Sequence, residues 1–161
     1  MASGGGSRIK NNAVAAAAVE SLSGELRLEI CGSGLSEDTP NVRYLGQLSH
    51  EAFLEKLGET EIFVVNSIFE SFSIAAVEAL SCGCSLLISE AAGVTGLLTL
   101  EENDIIHDPM NAGEIKEKLL HLHTHPNNRR LLSGLDFERW SYAQSVARLE
   151  KLCADLIKCH E

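Results

Sequence analysis

Two carboxylates stand alone in the most apolar part of the chain. In "IFVVNSIFESFSIAAVEALSCGCSLLIS", Ile62 to Ser89, Glu70 and Glu78 are the only charged side chains. Ionised carboxylates are rarely buried without a partner. The residues around them read as strand, tight turn and helix, so Glu70 falls in the turn and Glu78 in the second helical turn, four residues after Ile74. Ser73 is a fair N-cap for that helix, and Ile74 and Ala75 follow it. The first amides of a helix are unpaired donors, and the dipole there favours an anion. A carboxylate beside them can accept two vicinal hydroxyls. The stretch therefore offers a phosphate site next to a diol site. The structural alternative is a Glu78 held by an arginine or by backbone amides; residue chemistry alone leaves the two even.

Other chemistry is weaker. "CGSGLSED" begins like a dinucleotide fingerprint, but Glu37 occupies the third glycine position. "GGGSRIKNN" lacks the Gly-Lys-Ser/Thr ending of a phosphate loop. No Asp-x-Asp pair occurs, and no metal site is expected. His121 and His125 could share a metal, yet imidazoles at a helix C-terminus are more often solvated and favoured by the dipole. Cys82 and Cys84 lack a second pair at zinc spacing and read as core thiols. Trp140 reads as a packing anchor for the last helix.

The elements that position the two carboxylates alternate. Asn11 and Asn12 can cap a helix through "AVAAAAVESL". "LRLEIC", "VRYLG", "EIFVVN", "SLLIS" and "DIIHD" read as strands. "HEAFLEKLG", capped by Ser49, "SIAAVEALSCG", "AGEIKEKLLHLH", "PNNRRLLSG" and "RWSYAQSVARLEKLCADLIK" read as helices. Strands alternating with helices predict an α/β fold, a doubly wound parallel sheet covered on both faces. Ligands then sit at the carboxyl ends of the strands, which puts the turn "NSIFESFS" over a pocket. "MASGGGS" reads as an added leader, a linker, or a loop whose strand lies upstream. The expected organisation is therefore a start or loop over 1–7 and a single domain over 8–161.

The 161 residues suffice for one core, and the formal charge of −10 argues against a nucleic-acid or anionic-membrane surface. No apolar run reaches the length of a membrane span, and no signal-peptide pattern opens the chain. Five cysteines at irregular spacing read as reduced thiols of a cytoplasmic protein.

Glu70 and Glu78 are separated by seven residues, and the segment around them resembles the E-x7-E region of retaining GT-B glycosyltransferases (glycosyl transferases group 1, family 4). The usual form there is Pro-Ser-x-x-Glu-Gly-Phe-Gly, followed by a helix ending Glu-Ala-x-Ala-x-Gly-x-Pro-Val. "LRLEICGSG", "NVRYLGQLSHEAFLEKLGETEIFVVNS", "AAGVTGLL" and "ENDIIHDPMNAGEIKEKL" are similar to further family segments in the same order, so the likeness runs from Ser7 almost to the end. Asn66 stands in place of the usual Pro, Ser71 and Ser73 in place of two glycines, Ser85 in place of a Pro, and Gly96 where many members have Glu.

The resemblance implies the C-terminal, Rossmann-like half of a GT-B fold, with most of the first strand and the acceptor-binding N-terminal half absent. It implies transfer of a hexose-type sugar from a UDP- or GDP-linked donor, without a metal or other cofactor, to a glycan or lipid-linked acceptor in cell-surface polysaccharide synthesis. Glu78 would hold the ribose hydroxyls and Glu70 would face the transferred sugar. The amides after Phe72, at Ser73, Ile74 and Ala75, would hold the diphosphate and sugar hydroxyls. Arg8 and Lys10 would neutralise the diphosphate, and the backbone of Gln47 and Leu48 would meet the base. The isolated chain would bind donor and catalyse little. A cytoplasmic location is expected, with membrane contact, if any, made by the missing half at the inner membrane face. A noncatalytic α/β binding module and a GT-B sugar-nucleotide epimerase are the alternatives.

Overall fold

The computed structural model of the chain describes residues 1–22, 24–34, 37–136 and 141–158. Its centre is a six-stranded sheet in which every pairing is parallel, in the order β3-β2-β1-β4-β5-β6. The strands are β1 (Ala2–Ser3), β2 (Leu28–Cys31), β3 (Val42–Gly46), β4 (Ile62–Val65), β5 (Ser85–Ser89) and β6 (Ile105–Ile106). The helices are α1 (Asn12–Glu20), α2 (His50–Gly58), α3 (Ile74–Ser81), α4 (Ala112–Thr124), α5 (Asn128–Ser133) and α6 (Tyr142–Lys158). The doubly wound α/β expectation is met. The strand order reverses between β1 and β4, which opens a crevice at their carboxyl ends.

The period-two alternation of the strands makes two cores. Phe63, Val65, Leu86 and Ile88 pack with Leu57 and Leu80 on one face. Ile62, Val64 and Leu87 pack with Val19, Ile30 and Leu119 on the other. Every residue of β4 and β5 is buried, as their unbroken apolar runs require of strands covered on both sides. Full burial of a side chain such as Phe63 is worth roughly 1.5–3 kcal/mol.

The start of the chain departs from expectation. Met1–Ser3 is neither leader nor loop: Ala2 pairs with both Ile30 and Val64, so β1 is an inner strand of the sheet. Ala2 is fully buried, and the amino group of Met1 donates to Ile62 O at 2.7 Å. A two-residue strand followed by three glycines carries no periodicity to read.

The caps divide. Ser49 Oγ accepts from Ala52 N at 3.2 Å, a simple cap as expected. Neither asparagine caps α1 by its side chain. Asn11 takes a left-handed backbone (φ 53°) and its side chain donates to Pro109 O at 2.7 Å. Asn12 donates to Ser3 O and Gly5 O, both at 3.0 Å, and so ties α1 to the glycine turn. The long final helix is present as α6, with Leu149, Leu152 and Leu156 exposed. Trp140 lies outside the described residues. No helix among them is long and apolar enough to cross a membrane.

Candidate functional site

Three turns meet at the carboxyl edge of the sheet. The β1–α1 turn lies against the turn after β2: Gly5 N donates to Cys31 O and Gly6 N to Ser33 O, each at 2.9 Å. A Cβ at Gly6 would stand 1.7 Å from Gly34 O, so only glycine permits this approach. On its other side, the β1–α1 turn joins the β4–α3 turn through Ile68 N donating to Ile9 O at 2.8 Å. Asn66 braces the same junction. Its Nδ2 donates to Asn11 O at 3.0 Å and to Pro109 O at 3.1 Å. A proline at this position could do neither.

This junction delivers Lys10 to Glu70. Lys10 Nζ donates to Glu70 Oε2, and the carboxylate side chain is 13% exposed. The backbone around Glu70 is pinned to the segment after β5. Glu70 N donates to Ala91 O at 3.3 Å, Gly93 N to Glu70 O at 3.0 Å and Val94 N to Phe72 O at 3.0 Å. A Cβ on Gly93 would lie 2.1 Å from Ser71 O. Ser73 precedes α3 with a left-handed backbone (φ 82°) and, contrary to expectation, makes no side-chain cap. The chain thus keeps a glycine conformation where it has lost the glycine. Ile74, the first residue of α3, is 68% exposed, so its side chain does not cover the helix start.

Glu78 is held by a residue that the sequence reading passed over. His50 Nε2 donates to Glu78 Oε1 at 2.7 Å, joining α2 to α3. Among the described residues, neither an arginine nor a backbone amide serves it. His50 lies two residues after Leu48, so the β3–α2 turn with exposed Gln47 and half-buried Leu48 borders the same carboxylate. The two charges of the apolar stretch are therefore each partly buried against a nitrogen donor from another element.

Arg8 is set apart. It is exposed and lines a cleft of about 380 Å³ with Tyr44, Ile68 and Met110, whereas Lys10 and Glu70 lie outside that cleft's walls. A larger cavity of about 520 Å³ opens at the opposite, amino-terminal edge of the sheet, lined by Arg27, Asp38 and Glu59, and contains none of these residues. His121 and His125 stack with ring centroids 4.6 Å apart, and among the described residues no group of three metal-ligating side chains forms. Beside the β5 and β6 ends, His107 bridges Glu90 and Glu102, each at 3.0 Å. The hydrogen bond to Glu90 above all, then that to Glu102, raises its pKa from the ordinary histidine value.

The family described as "Glycosyl transferases group 1" matches residues 8–133, which include Lys10, Glu70 and Glu78. The chain belongs to the group 1 glycosyltransferases. A curated relative, a phosphatidyl-myo-inositol mannosyltransferase of Propionibacterium freudenreichii subsp. shermanii, is 27% identical over 113 residues, 68% of this chain and 30% of that protein. The fold matches α,α-trehalose 6-phosphate synthase of Burkholderia multivorans with a TM-score of 0.77 at 15% identity, over 97% of this chain and 43% of that one. It matches Anabaena HepE, solved in complex with UDP-glucose, with a TM-score of 0.68 at 14% identity, over 98% of this chain and 48% of that one. This group 1 glycosyltransferase chain thus spans less than half the length of these relatives.

Within the group 1 glycosyltransferase frame, His50, Asn66 and Gly93 are the residues that sequence reasoning did not assign to the crevice. Asn66 offered a signal, a polar side chain at the end of an apolar strand. His50 offered none, since a histidine after a capping serine reads as a solvated first-turn residue.

Proposed function

We propose that this chain is the nucleotide-sugar donor-binding half of a retaining glycosyltransferase. The observation that carries the reading is the paired presentation of Glu70 and Glu78 on either side of an uncovered helix start, with Lys10 beside them. In the reaction, the bond between the anomeric carbon and the diphosphate oxygen breaks, a bond to the acceptor oxygen forms on the same face, and the acceptor hydroxyl's proton passes to the released diphosphate. The leaving diphosphate gains negative charge. Lys10 and the first-turn amides of α3 stabilise that charge, and Glu78 holds the ribose. Glu70 faces the sugar, the base meets the Gln47–Leu48 backbone, and the donor is a UDP- or GDP-hexose. The acceptor, a glycan or lipid-linked chain of the cell surface, is bound by a second domain.

Titration calorimetry of the folded chain with UDP, GDP and their hexoses at millimolar concentration tests this. The expected result is weak binding of one nucleotide series, lost in Glu78→Ala. A folded chain that binds neither series overturns the reading.

A further inference from the structure

We propose that Asn66 is a positioning residue of the donor site, which aims Lys10 at the diphosphate by fixing the backbone next to it. The inference rests on the donor-binding reading above and deepens it. Both residues flanking Lys10 give their carbonyls to the β4–α3 turn. Ile9 O accepts from Ile68 N at 2.8 Å, and Asn11 O accepts from Asn66 Nδ2 at 3.0 Å. The second proton of that side-chain amide goes to Pro109 O at 3.1 Å, and Pro109 O also accepts from Asn11 Nδ2 at 2.7 Å. One buried amide thus joins the β1–α1, β4–α3 and β6–α4 turns, with both of its N–H groups occupied. The stem of Lys10 is itself confined: it lies against Gly4, where an added Cβ would overlap Lys10 Cγ. The place of the ammonium therefore follows the backbone that Asn66 holds.

Stability alone does not account for Asn66. The residue is 1% exposed. Both partners of its Nδ2 are carbonyls, so the amide has one orientation, and Oδ1 meets no donor among the described residues. A buried acceptor left unpaired costs about as much as two neutral hydrogen bonds contribute. An apolar side chain of similar size would therefore serve the fold as well. It could not donate to Asn11 O. The backbone beside Lys10 would then be held on the Ile9 side alone, and a cation displaced by about 1 Å stabilises a developing anion less well.

The test is calorimetry of the whole chain with whichever of UDP or GDP binds, on wild type, Asn66→Leu, Asn66→Ala, Lys10→Ala and the two double variants. Asn66→Leu and Asn66→Ala should each weaken binding about threefold to tenfold, within the loss that Lys10→Ala itself causes. With Lys10→Ala already present, the same substitutions should change affinity by less than about twofold, because Asn66 acts through Lys10. A residue that only supports the fold would cost the same in both backgrounds. Wild-type affinity in a folded Asn66 variant, or equal losses with and without Lys10, overturns the inference and leaves donor binding standing. Failure of both Asn66 variants to fold, read by circular dichroism and melting, overturns it too, since stability would then account for the residue. Failure of both nucleotides to bind wild type overturns the donor-binding reading and this inference together.

Discussion

Lys10 Nζ donates to Glu70 Oε2 across sixty residues of sequence, and this contact joins the two turns that flank the strand-order switch. The cation expected on the diphosphate is thus paired with the carboxylate expected on the sugar. Lys10→Ala should therefore weaken UDP or GDP binding about tenfold or more. Glu70→Gln should do the reverse for the free nucleotide, since it releases Lys10 and removes a negative charge beside the diphosphate. Calorimetry at low ionic strength reads both, and changes of the same sign would refute the coupling.

Ser73 holds φ 82° without a glycine, and Gly93 meets Ser71 O where no Cβ fits. A left-handed non-glycine residue costs about 1–3 kcal/mol, and extra glycine entropy returns about 0.5–1. Ser73→Gly should stabilise the fold by roughly 0.5–2 kcal/mol on that balance. Gly93→Ala should destabilise it by about 1–3 kcal/mol through overpacking. Urea unfolding midpoints at constant slope measure both.

His107 is more basic when folded, through its hydrogen bonds to Glu90 and Glu102. The folded state then binds the proton more tightly than the unfolded chain. The contribution is complete below the unfolded value of about 6.5 and is lost as pH rises through the raised folded value. Wild type should exceed His107→Gln in stability at pH 6, and the gap should close toward pH 9. Solvent screening of this exposed cluster keeps the gap below about 1 kcal/mol. Denaturation at a series of pH values follows it; a gap that widens with pH contradicts the assignment.

The thiols should react in order of burial. Cys84 is fully buried and burial pushes its pKa up to about 11; burial raises that of Cys31 as well. Cys153 on α6 is exposed. Iodoacetamide at pH 8 should label Cys153 while sparing Cys31 and Cys84 until the chain unfolds, because the thiolate is the nucleophile. Peptide mass mapping resolves the sites. Early labelling of Cys84 would contradict the buried placement of β5.

The sheet and its helices were legible because their apolar periods are local. "IFVV" and "SLLIS" have no polar face, and each is buried on both sides. The E-x7-E spacing was legible for the same reason: one strand, one turn and one helix contain it. The first strand was not legible. Ala2–Ser3 is a strand only because β2 and β4 stand on either side of it. The caps misled for a related reason, since the side chain of Asn11 is drawn off by Pro109, ninety-eight residues away.

Short-range spacing alone set the α/β class, the order of elements and the pair of carboxylates. Long-range packing set the company those carboxylates keep. Lys10 reaches Glu70, His50 reaches Glu78, and Asn66 ties Asn11 to Pro109. Each of these contacts joins residues from separate turns. Such turns meet only when the parallel sheet brings the carboxyl ends of its strands to one edge.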